Sequence, residues 1–158
     1  MGLDGSGALR LTSNPVLRPH VMLSSDGKWL YFSDTPTGYQ RVSIDGGTPG
    51  PLFDAETQQR LSEPLPPDFH DPTQSPDGLT IAGHYNDTAA GGERILLVPA
   101  SGGQTRRLRT VPPSATWWPD GKSLVYIEPR GGSSNLVRQP IAFELDTQTL
   151  RPMSIQRP

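Results

Sequence analysis

Three histidines, His20, His70 and His84, are the residues that would first be asked to hold a metal or move a proton. Their positions show none of the short intervals by which histidines ligate one ion. The chain has no cysteine, which excludes disulfides and thiolate metal sites. No Gly-x-Ser-x-Gly elbow supplies a hydrolase nucleophile. The glycine-rich pieces Gly102-Gly103 and Gly131-Gly132-Ser133-Ser134 lack the Gly-Lys-Ser/Thr ending of a phosphate loop and read as turns. No metal, no cofactor and no catalytic residue is therefore expected, and the chain does not read as an enzyme. One constellation stands out by position. His20, Asp71 and Ser114 each lie six residues before an aspartate of a recurring turn. As equivalent positions in three repeats they would form a polar rim able to bind a peptide end or an ion. The plainer reading is three solvated strand starts.

The turn that places them is Ser75-Pro76-Asp77-Gly78, with two imperfect copies, Ser24-Ser25-Asp26-Gly27 and Trp118-Pro119-Asp120-Gly121. Proline presets φ at the second turn position, aspartate bonds the neighbouring backbone, and glycine accepts positive φ. Asp26-Gly27, Asp77-Gly78 and Asp120-Gly121 are thus structural turn residues. Each copy precedes a short run rich in β-branched and aromatic residues: Lys28–Phe32, Leu79–Gly83 and Lys122–Ile127. Such a turn between strand-like runs makes a hairpin. The turn aspartates lie 51 and 43 residues apart, and hairpin repeats of about 40–50 residues point to propeller blades.

Composition agrees. Seventeen glycines and eighteen prolines suit many short strands joined by turns. The net charge of −2 leaves no electrostatic footprint for nucleic acid. The basic cluster Arg106, Arg107 and Arg109 reads as an exposed sheet edge, where charge discourages edge-to-edge pairing. No stretch reaches the ~18 apolar residues of a membrane span. The first residues have neither the basic nor the apolar region of a signal peptide, so the chain as written is expected to be cytoplasmic.

Taken in order, residues 4–12 read as the last strand of a preceding blade. Residues 13–53 make the first full blade, 54–68 an insertion loop, 69–110 a second blade and 111–158 a third. Asp54 can cap one helical turn in the insertion. Two registers compete for the first blade's outer strand, Gly50–Phe53 and Gln59–Ser62. Trp29 and Tyr31 share one strand face, Leu30 and Phe32 the other, as expected of a sheet covered on both sides. Trp29 and Trp117 read as packing residues, and Trp118, in place of the turn serine, as an exposed one. Pro129–Ser134 reads as a loop, followed by strands at Asn135–Gln139, Ile141–Leu145 and Leu150–Met153.

Three units of strand, Ser-Pro-Asp-Gly, strand, glycine loop, strand, Gly-Gly, strand resemble the TolB-like (WD40-like) β-propeller repeats. The likeness covers nearly the whole chain. The phrases Arg41-Val42-Ser43-Ile44-Asp45-Gly46-Gly47-Thr48-Pro49 and Tyr126 to Asn135 resemble the propeller half of bacterial kinase or winged-helix sensor proteins. The resemblance implies an all-β fold, a partial β-propeller of three four-stranded antiparallel blades plus a leading edge strand. It implies a non-catalytic protein-interaction or sensor module that binds a protein or peptide partner, and a periplasmic location within a membrane-anchored parent. The alternative is the accessory propeller of a prolyl oligopeptidase-like hydrolase whose catalytic domain lies elsewhere. Closed propellers use about 4–8 blades. Three blades are therefore expected to be a fragment of a longer protein or to pair with a second copy, with apolar faces open at both ends.

Overall fold

The fold is described from a computed structural model, for residues 8, 10–12, 20–34, 38–89, 91–108, 115–130 and 133–141. The first sheet holds β1 (Val21–Leu23), β2 (Trp29–Asp34), β3 (Gly38–Ser43) and β4 (Gly50–Pro51), in chain order. After α1 (Ala55–Arg60), the second sheet holds β5 (His70–Gln74), β6 (Thr80–Asp87), β7 (Gly92–Pro99) and β8 (Arg106–Leu108). The third holds β9 (Thr116–Trp117), β10 (Ser123–Arg130) and β11 (Ser133–Pro140). Every pairing is antiparallel. The protein is thus an all-β partial propeller, and among the described residues its sheets do not close a ring.

The three turns share one construction. The glycine N–H donates to the carbonyl three residues back, from Gly27 to Ser24, Gly78 to Ser75 and Gly121 to Trp118. All three glycines have φ between 67° and 75°, a conformation that costs other residues a Cβ clash. In the first two turns the serine hydroxyl donates to the turn aspartate, at 2.6 Å in each. The same hydroxyl accepts the N–H that opens the next strand, from Trp29 at 2.9 Å and Thr80 at 3.0 Å. Trp118 cannot do this. There Arg138 covers the indole at 4.8 Å and donates to Asp120 at 2.6 Å.

Alternation then builds the core. Tyr31, Leu52 and Phe53 of the first sheet region bury against Phe69, Ile81, Tyr85, Leu96 and Val98. The opposite face of the second sheet, with Ala82, Ile95 and Leu97, packs with Leu124, Tyr126 and Ile141. The second sheet is therefore sandwiched, which is why the run from Ile95 to Val98 is apolar without interruption. The first strands adjoin: β5 lies against β1, β2 and β9. Side chains from both neighbours fasten its backbone. The Tyr39 hydroxyl accepts the Asp71 N–H at 2.6 Å, and the Trp117 indole donates to the Thr73 carbonyl at 3.1 Å.

The structure settles several details. The outer strand of the first sheet is Gly50–Pro51, because Asp54 caps α1 through the Thr57 N–H and the helix takes up Gln59. The insertion is docked rather than loose. Ser62 N–H donates to the Gly103 carbonyl, Ser62 Oγ accepts the Thr105 N–H, and Glu63 takes a two-pronged bond from Arg107. The loop expected at Pro129–Ser134 is instead the tip of a hairpin, with pairing continuing to Arg130↔Ser133. Pro129 lies within that pairing, opposite Ser134. Ala8 and Arg10–Thr12 lie in no strand, since an edge strand forms only against a sheet that it completes. The rest of that segment, and the strands expected beyond Ile141, lie outside the described residues. Trp117 packs as expected, but Trp29 is 36% exposed, close to the 39% of Trp118.

Candidate functional site

The two ends of the sheets differ in chemistry. At one end the turns of successive sheets touch. A Cβ on Gly78 would lie 2.9 Å from the Ser25 hydroxyl, and one on Gly121 would lie 3.2 Å from the Asp77 carboxylate. Gln74 ties this end together, accepting from Ser25 N–H at 3.0 Å and donating to the Gly78 carbonyl at 2.9 Å. The turn residues Asp26, Gly27, Asp77, Gly78, Asp120 and Gly121 are wholly engaged in this scaffold.

The opposite end gathers the histidines. His20, immediately before β1, and Asp71, in β5, approach to 3.9 Å, with side chains 60% and 24% exposed. Ser114 lies outside the described residues. Beside this pair, β5, β6 and β7 bring together His70, His84 and Glu93, whose ligand-capable atoms all lie within 4.8 Å of one another. His70 and His84 meet edge to face at 5.4 Å.

A single irregularity makes that meeting possible. Thr73 pairs with Ala82, and the same register continued would set His70 opposite Tyr85. Tyr85 faces the first sheet. A β-bulge between His70 and Thr73 shifts the pairing by one residue, so that His70 stands opposite His84. Since a one-residue shift exchanges the faces of a strand, the bulge turns His70 onto the side of His84 and Glu93. Within the bulge lies Asp71, the only non-glycine among the described residues with positive φ, at 47°. Aspartate tolerates that region better than most residues.

Hydrogen bonds then orient the rings. His70 Nδ1 lies 2.7 Å from the Asp68 carbonyl, which can only accept, so Nδ1 carries the proton. Nε2 points to Glu93 Oε1 at 2.5 Å. Asp68 itself accepts from the backbone and side-chain nitrogens of Asn86, at 2.7 and 2.8 Å. Burial pushes the Asp68 carboxyl up, but these bonds outweigh it and hold the group below its usual range. Phe69 lies so close to Gly83 that a Cβ there would stand 2.2 Å from a ring carbon. Burial holds the His84 imidazole below its ordinary pKa, against the opposing pull of Glu93, which favours the neutral ring. The Asp71 Oδ1 atom is buried without a hydrogen-bond partner among the described residues.

Sequence reasoning singled out His20, Asp71 and Ser114 and saw no ligand spacing among the histidines, because His70, His84 and Glu93 are neighbours across strands and not along the chain. Their signal is weak but present: His70 and His84 stand nearly symmetrically about the Asp77-Gly78 turn.

No family model matches the sequence, and no curated protein matches it. Solved structures do. TolB from Acinetobacter baumannii matches with a TM-score of 0.62 at 18% identity, over 84% of this chain and 32% of that one. A protein assigned as TolB from Agrobacterium tumefaciens matches with a TM-score of 0.54 at 24% identity, over 77% and 41% respectively. The fold is TolB-like. The chain spans roughly a third to two-fifths of the length of these TolB structures. Among the described residues, no helix of this TolB-like arc is long and apolar enough to cross a membrane.

Proposed function

We propose that this chain is a non-catalytic protein-interaction module, a TolB-like arc of blades completed by further blades of a parent chain or by a second copy. The observation that carries the reading is an uncovered apolar face. On the third sheet, Leu124, Tyr126 and Val137 pack inward. Ile127 and Leu136, paired across β10 and β11, point the other way and are 56% and 75% exposed. Val125 lies two residues along on the same face, where a propeller blade would receive its neighbour. At the other end, Val21 and Leu23 are exposed on the outward side of the first sheet, although Phe32 and Val42 on that side are buried. The greater length of the matched TolB structures supports completion by more blades. The sensor role carried by the sequence resemblance fits the same reading, with the polar rim at His20 and Asp71 as its contact for a protein or peptide.

Fully burying a leucine or isoleucine gains about 1.5–3 kcal/mol. Scaled by exposure, covering Ile127 and Leu136 gains about 2–4 kcal/mol, roughly 1.5 to 3 decades in Kd. Sedimentation at micromolar concentration tests this. The chain is expected to self-associate, and the pair Ile127→Lys and Leu136→Lys is expected to return it to a monomer. A well-folded wild-type monomer that binds no hydrophobic dye would overturn the proposal.

A further inference from the structure

We propose that His70, His84 and Glu93 form a binding site for a borderline divalent transition-metal ion of the zinc class. Two imidazoles and one carboxylate are a donor set for such ions, whereas calcium and magnesium take oxygen ligands. The three donors come from three adjacent strands of one sheet, on one face, with ligand-capable atoms within 4.8 Å of one another.

The surroundings are those of a ligand set and not of a casual ion pair. The Asp68 carbonyl takes the Nδ1 proton of His70 and leaves Nε2 aimed at the centre, the kind of outer contact that fixes a metal-bound imidazole. Among the described residues no hydrogen bond engages the His84 ring, although its side chain is half-buried. The bulge at Asp71 holds a non-glycine residue at φ 47°, and backbone of this kind clusters at functional sites. Without that bulge the two histidines would not share a face.

In the present geometry His70 Nε2 and Glu93 Oε1 stand 2.5 Å apart. Two donors at about 2.0–2.1 Å from one tetrahedral ion stand about 3.3 Å apart. The His70–Glu93 contact therefore opens by less than 1 Å while His84 draws in. Glu93 is at the start of β7 and its side chain is partly exposed, so that adjustment moves no core element. Three protein donors leave at least one position for water or for a donor from a partner. Asp71 and His20 flank the centre and are not required as ligands.

The test uses the full chain, stripped with a chelator and titrated with Zn²⁺ and, for its visible bands, Co²⁺. Because the chain has only three histidines, ¹H–¹⁵N spectra of the imidazole nitrogens read each one. One ion per chain is expected to bind, shifting the His70 and His84 rings and not His20, and raising Tm. Glu93→Gln keeps a hydrogen-bonding group beside His70 and should preserve the fold while weakening binding at least about tenfold. His84→Gln should do the same, and His20→Gln should leave affinity unchanged within about threefold. Stoichiometric binding that survives both Glu93→Gln and His84→Gln would overturn the proposal. So would weak, equal shifts of all three rings at millimolar metal. If His84→Gln fails to fold, the Glu93→Gln titration and the wild-type ring spectra decide alone.

Discussion

Gly83→Ala adds one methyl group to β6 at the point where Phe69 crosses the sheet. The new Cβ would stand 2.2, 2.4 and 2.9 Å from three carbons of the ring, where carbon atoms pack at about 3.5–4.0 Å. The ring must therefore retreat by more than about 1 Å. It has little room, being buried in the first core cluster and meeting Tyr39 edge to face at 6.0 Å. Overpacking of this kind costs about 1–3 kcal/mol. Complete loss of Phe69 from the core, at about 3–5 kcal/mol, is the ceiling. Alanine recovers about 0.5–1 kcal/mol over glycine inside a strand. The net expectation is a loss of about 1 kcal/mol, or about 2–4 °C in Tm for a chain of this size. Urea and thermal unfolding of Gly83→Ala in wild-type and Phe69→Ala backgrounds isolate the contact. In the second background the substitution should be neutral or slightly stabilising. An equal cost in both backgrounds, or no cost in the wild type, would refute the reasoning.

The remaining predictions concern the turns, the open face and the histidine cluster. Ser75→Ala should cost about 1–3 kcal/mol, because Ser75 is fully buried and its hydroxyl accepts the Thr80 N–H, which would be left unpaired; urea unfolding reads it, and a neutral result counts against the turn mechanism. The Asp77 carboxyl is held below its ordinary value of 3.8 by the Ser75 hydroxyl and then by the Leu79 N–H. A lowered folded pKa stabilises the fold above the unfolded value, and that contribution is lost as pH falls through the folded one. Stability should drop as pH falls below about 4, less steeply in Asp77→Asn; parallel profiles for the two proteins would exclude Asp77 as a source. Charged substitutions at Ile127 and Leu136 should abolish self-association, and Glu93→Gln should weaken zinc binding at least about tenfold, as set out above.

Much of this protein was determined locally and is legible in the chain. Ser75-Pro76-Asp77-Gly78 and its copies need only neighbouring residues to close: a serine hydroxyl, an aspartate and a glycine with positive φ. Strand alternation follows from the two-residue period of the backbone, so the two faces of the second sheet were readable from Ile81–Ala82 and Leu96–Leu97. Asp54 announced the start of α1, because capping is a contact over three residues. The outer strand of the first sheet was not decidable from the chain, since Gly50–Phe53 and Gln59–Ser62 satisfy the same pattern. Only the docking of α1 and Ser62 against the second sheet chose between them. Pro129 and the double glycine suggested a loop, whereas the pairing of β10 with β11 continues through Pro129 to Arg130.

The candidate site belongs almost wholly to tertiary structure. His20 and Asp71 were visible as equivalent positions in a repeat, and their approach to 3.9 Å follows from the adjacency of β1 and β5. His70, His84 and Glu93 were not visible. Pairing counted outward from the Asp77-Gly78 turn puts His70 opposite Tyr85 and on the wrong face. The bulge at Asp71 moves it by one residue. That bulge is held from outside its own hairpin, by the Tyr39 hydroxyl of the first sheet on the Asp71 N–H. A contact across 32 residues decides which way one histidine points, and no local preference of the chain contains that information.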